Sequence, residues 1–87
     1  MLDPKKCTDY EIFQYLDMLN HEVDEILEEA GAIFPKLIED KRQRERALSI
    51  AHESDKYFAE LELRYGETGA MNLFYDYLDS KRQEHVQ

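Results

Sequence analysis

Residues 35–66, PKLIEDKRQRERALSIAHESDKYFAELELRYG, contain no glycine or proline between the first position and the last. Proline suits the first turn of a helix and glycine the left-handed residue that ends one, so the spacing predicts a single helix over 35–65. Such a helix would be about 46 Å long at roughly 1.5 Å per residue. That exceeds the width of a compact domain of this size, so another element must lie along it.

The stretch has two characters. From Ala47 onward, Ala47, Ala51, Ser54, Phe58, Leu61 and Tyr65 recur at alternating steps of four and three, flanked by Ile50 and Tyr57. This is the seam of a helix packed on another helix. Upstream of it, Glu39 to Arg46 is polar all round, with only Leu37 and Ile38 to bury. A helix of that kind is held by charge pairs or projects into solvent.

Working outward, Thr8 and Glu11 have the spacing of a reciprocal N-terminal cap, and Ile12, Leu16, Leu19, Val23, Ile26 and Ala30 repeat at helical spacing until Gly31. Phe13 and Leu27 widen this stripe. The first helix is therefore expected over 9–30, after a tail at 1–7. Ala32-Ile33-Phe34 is a short apolar connection, and short connections make antiparallel neighbours. Folding around it places residues whose numbers add to about 65 opposite one another. Past Gly66, Thr68 offers a cap and Ala70, Leu73, Phe74, Tyr77 and Leu78 form a third stripe, expected over 69–85 and ending in Lys81, Arg82 and His85. The expected fold is all-α: one small domain over 1–87, an antiparallel helical hairpin plus a shorter third helix. Such a three-helix bundle can stand alone or be completed by a second copy as a dimer with coiled-coil packing.

A chain of 87 residues has one core, which supplies roughly 3 to 5 kcal/mol. No apolar run approaches the length of a membrane span, and one cysteine cannot form an internal disulfide, so the expected setting is cytoplasmic with no membrane partner. The net charge of −9 is uneven. Residues 1–40 hold eleven acids and three bases, and residues 41–87 nine acids and eight bases. An acidic first half disfavours nucleic acid and favours a basic protein surface.

That charge concentrates at the end of the first helix, in Glu22, Asp24, Glu25, Glu28 and Glu29. The C-terminal end of a helix is already partly negative, so these carboxylates sit where they are disfavoured, and no cation lies between them and Lys36. Two readings follow. The acids pair internally with Lys41, Arg42, Arg44 and Arg46 across the hairpin, which is the favoured one, or they form a docking face. Tyr75 lies opposite the Phe74–Leu78 stripe and is the aromatic best placed for an exposed contact.

Chemistry is sparse. Asp17, His21 and Glu25 share a helix face, but no Glu-x-x-His pair occurs and His52 is expected beside Phe13, remote from His21. No metal or cofactor is expected. Cys7 follows two lysines and reads as an ordinary thiol in a mobile tail, and neither a phosphate loop nor a serine nucleophile elbow is present. The expected function is therefore non-enzymatic: a small regulator or inhibitor binding another protein, one with a basic surface, through the charged hairpin end. The alternatives are a nucleic-acid mimic that blocks a DNA- or RNA-binding protein, and a structural homo-oligomer.

Overall fold

The structure, a computed structural model, describes residues 3–85, with side chains through Arg82. Met1 and Leu2 of the expected tail, the last two residues and the side chain of His85 lie outside the described residues. All regular structure among the described residues is helical, and it forms two long helices where three were expected. These are α1, Asp9–Ala30, and α2, Lys41–His85.

Local chemistry fixes α1 at both ends. The Thr8 hydroxyl accepts from the Glu11 amide (3.2 Å) while the Glu11 carboxylate accepts from the Thr8 amide (2.8 Å), satisfying two donors that a helix start leaves free. At the other end Gly31 adopts φ 66°, ψ 30°, and the amides of Gly31 and Ala32 bond back to the carbonyls of Glu28 and Leu27. That pattern requires a left-handed residue, which glycine supplies without a Cβ penalty.

The expected helix over 35–65 is corrected at its start. Pro35–Leu37 is a short 3-10 turn, Ile38 is extended, and the α-helix begins at Lys41. Asp40 is the true cap, its carboxylate accepting from the amides of Arg42 (2.8 Å) and Gln43 (3.4 Å). Tertiary packing decides between the two candidate starts. Ile38 is 1% exposed against Ile26 and Ala47, and an extended residue just before the cap lets it reach them.

The expected independent third helix, and with it the three-helix bundle, is also corrected. Residues 67–85 belong to α2, which is interrupted only at Gly66, with φ 80° and ψ 168°. A straight helix of 45 residues would be about 67 Å long, yet the longest dimension of the chain is 36 Å. The helix therefore bends sharply at that glycine. Its proximal arm, 41–65, runs antiparallel to α1, and its distal arm, 67–85, crosses the N-terminal half of α1.

Asp9 meets Arg64, Tyr15 meets Tyr57, and Ile26 packs with Ala47. Facing residues thus add to 72 or 73, against about 65 expected, because the whole of 31–40 forms the turn. Tyr57 rather than Phe58 holds the centre of the seam: it is 2% exposed, its ring 4.6 Å from that of Tyr15. Ile12, Leu16, Leu61 and Ala70 complete this main core, and the distal arm closes it with Phe74 and Tyr77 against Phe13 (6.3 and 5.4 Å between centroids).

The N-terminal segment departs from the mobile tail expected of it. Asp3 caps a 3-10 turn over Pro4–Lys6 and Cys7 is buried in the main core. Arg64 holds it there, donating to the carbonyls of Pro4 (3.2 Å) and Cys7 (2.8 Å) and to the Asp9 carboxylate (2.8 Å). Asp9 also accepts from the Tyr65 hydroxyl. That hydrogen bond, and then the Arg64 guanidinium, hold the Asp9 carboxyl below the usual aspartate range. A carboxyl depressed by folding stabilises fully above its unfolded pKa, and the contribution is lost as pH falls through the folded value. Below about pH 4, the wild-type chain is therefore expected to lose stability more steeply than Asp9→Asn, measured as urea midpoints against pH; parallel curves would show that the clamp contributes nothing.

Candidate functional site

The turn that joins the helices carries the most exposed apolar cluster in one short segment. Ile33, Phe34 and Leu37 are 77%, 62% and 61% exposed, within five consecutive residues. Their presentation follows from how the turn is built. Gly31 ends α1 abruptly, Pro35 opens the 3-10 turn, and Ile38 turns inward to the small core of Ile26 and Ala47. Ile38, with Ala32 packed partly against the same core, anchors the segment while Ile33, Phe34 and Leu37 face outward.

The far side of the turn is held by side-chain hydrogen bonds. Arg44 Nη1 donates to the carbonyls of Ile38 (3.0 Å) and Glu39 (3.4 Å), and Asp40 caps α2. With Gly31 fixed by two backbone bonds on the near side, the turn is clamped at both ends. A clamped loop displays its side chains at little conformational cost, the condition for a preorganised contact.

Charge surrounds this tip. Glu28 and Glu29, in the last turn of α1, are exposed, as are Lys36, Glu39, Lys41 and Arg42. The last turn of α1 has no basic residue. Among the described residues, none of Glu22, Asp24, Glu25, Glu28 and Glu29 forms an ion pair with Lys41, Arg42, Arg44 or Arg46. The favoured internal pairing is thus corrected: Asp24 falls at the level of Ser49 rather than Lys41, and Arg44, level with Glu29, turns instead to the carbonyls of Ile38 and Glu39. Among the described residues, the contact of this kind that these acids make is between Glu25 and His21, four residues apart and 3.5 Å between Oε1 and Nε2, both well exposed and an ion pair only when the imidazole is protonated.

The predicted docking residues separate into groups. Glu28, Glu29, Lys41 and Arg42 flank the tip, with Asp24 and Glu25 exposed one to two turns back along α1. Arg44 is half-buried and turned into the loop it clamps. Glu22 is half-buried beside a groove between α1 and the distal arm, of about 650 Å³, floored by Met18 and Leu78 and spanned by the Asp17–Lys81 pair (2.7 Å). Tyr75 is 56% exposed on the distal arm, which crosses the other end of α1. Ile33, Phe34 and Leu37 escaped the sequence reading, which took the first two as a connection and the third as a residue to bury. The available signal was a Pro-containing turn with more large apolar residues than a turn can cover.

Comparison with protein-family models, with curated proteins and with solved structures finds no match for this chain. Among the described residues no three of His, Cys, Asp and Glu converge as metal ligands, and no helix is long and apolar enough to cross a membrane. His52 lies at the level of His21, not of Phe13, by the same register shift. Cys7 is a free buried thiol.

Proposed function

We propose that this chain is a small, non-enzymatic protein-binding module that regulates or inhibits another protein through its hairpin tip. Ile33, Phe34 and Leu37 enter an apolar pocket of the partner, and Glu25, Glu28 and Glu29 meet lysines and arginines at the rim of that pocket. The exposure of three large apolar side chains on one clamped turn carries this reading. Burying one such side chain fully is worth about 1.5 to 3 kcal/mol, and an apolar patch rimmed by charge marks an interaction surface. A negative helix end left without internal cations supplies the electrostatic half, which steers association and selects a basic partner. A single free thiol, buried rather than bridged, suits a reducing compartment such as the cytosol.

The test is charge reversal on the rim. The variant Glu25→Lys/Glu28→Lys/Glu29→Lys is expected to bind the partner at least tenfold more weakly at low salt, with the gap to wild type narrowing as salt rises and the helical circular dichroism unchanged. Equal binding by both proteins rejects the acidic face. A nucleic-acid mimic, the second reading, predicts that DNA or RNA of the target competes for the same site. The apolar tip argues against it, since carboxylates standing in for a phosphate backbone have no use for a protruding phenylalanine.

A further inference from the structure

Gly66 divides α2 into its two arms at φ 80°, ψ 168°, a region of backbone space essentially reserved to glycine. Helical turns run up to it from both sides, so the bend is confined to one residue in a 45-residue helix. Bent and straight forms of α2 differ chiefly in the dihedral angles of that residue. Beyond its chain neighbours and the helix's own adjoining backbone, no atom lies within 4 Å of where a Cβ on Gly66 would stand, so no group packed from elsewhere wedges the bend in place.

The distal arm is held by the Asp17–Lys81 pair, by Tyr77 and Phe74 against Phe13, by Tyr10 against Tyr77 (5.9 Å) and by Phe58 against Phe74 (6.5 Å). Each joins the arm to the rest of the chain across the bend, and each can equally be made by the arm of another copy. The aromatic contact between the two arms straddles the glycine evenly. Phe58 and Phe74 are eight residues to either side, and close to the bend Tyr65 Cβ lies 3.1 Å from where a Cβ on Gly69 would stand. An arrangement symmetric about Gly66 within one chain can be reproduced between two chains by a two-fold axis passing near that residue.

We propose that α2 straightens at Gly66 and that two copies exchange distal arms, each arm packing on α1 of the other copy. The occupant of the vacated face is thus a second copy of this chain, because its arm alone restores every contact that opening breaks. A chain that opened alone would expose Leu61, Ala70 and Phe74, now 0%, 0% and 8% exposed, so the straight form accumulates only as a pair. The exchange leaves the hairpin tip free in both copies and does not depend on the tip having a partner. It also doubles the number of tips displayed, which raises avidity for a partner bearing two pockets.

The purified full chain tests this by light scattering after size-exclusion chromatography. Wild type is expected to show a dimer fraction that grows with concentration after refolding. Gly66→Ala penalises the bent form and favours the helical one, so it is expected to shift the balance roughly tenfold per chain and the association constant roughly a hundredfold. A folded Gly66→Ala that stays monomeric up to several hundred micromolar overturns the proposal. Should that variant fail to fold, exchange is read with Gly66 in place. Two Cys7→Ser chains, one carrying Asp17→Cys and the other Lys81→Cys, are refolded together and oxidised. Disulfides joining the two different chains are expected, well above those of a control mixture carrying Lys56→Cys in place of Lys81→Cys; equal yields overturn exchange.

Discussion

Leu61→Ala is expected to remove about 2 to 5 kcal/mol of stability, a large part of what a chain this size possesses at roughly 0.05 to 0.15 kcal/mol per residue. Leu61 is fully buried among Ile12, Leu16, Tyr57 and Phe74, where α1 and both arms of α2 meet. A cavity there touches all three segments at once and the surrounding side chains are already packed from each side, which limits collapse. Leu63, two residues on, is 79% exposed, and Leu63→Ala is expected to change stability by no more than about 0.5 kcal/mol. Urea denaturation of the pair reads the helix phase directly. Similar losses at both positions would mean that α2 does not present Leu61 to the core.

The second large effect concerns binding. Phe34→Ala is expected to weaken the partner complex by about 2 kcal/mol or more, roughly thirtyfold, as for an aromatic anchor at the centre of an interface. Because Phe34 is 62% exposed and belongs to neither core cluster, its thermal midpoint is expected to stay within about 4 °C of wild type, what a surface change produces in a chain of this size. Leu37→Ala shares the phenotype to a smaller degree. Ile38→Ala is the contrast: it empties the anchor beneath the tip, so it loses stability and binding together. A Phe34→Ala protein that binds as wild type does would move the interface away from the turn.

Much of the fold was legible because it is locally encoded. Thr8 with Glu11 marks the start of α1 and Gly31 its end, each signal confined to a few neighbouring residues, and the stripe from Ile12 to Ile26 needs no knowledge of its partner. The start of α2 was not legible, since Pro35 and Asp40 are both competent openings and the choice rests on Ile38 reaching Ile26 and Ala47 across the hairpin. That one choice lengthened the turn and shifted the register from about 65 to 73. It carried Asp24 from the level of Lys41 to that of Ser49, while Arg44, level with Glu29, is taken up by the carbonyls of Ile38 and Glu39, so the favoured internal pairing does not form. Gly66 was read as a terminator, which is correct for the backbone angle, yet the helix resumes immediately beyond it and no separate third helix forms. The acidic rim of the candidate site could be read from composition. The apolar tip could not, because whether a loop residue is covered depends on what packs over it, and of the large apolar residues of the turn Ile38 alone is buried.

Site-specific photocrosslinking offers the most direct measurement of tip docking. A photoreactive phenylalanine analogue is placed at position 34, or at Lys56, which is exposed in the middle of α2, and each protein is irradiated in extract from its host. Docking through the tip predicts a discrete crosslinked species from position 34 that weakens when Glu25, Glu28 and Glu29 are reversed in charge and is missing from position 56. The same species from both positions, or one from position 56 alone, would contradict it.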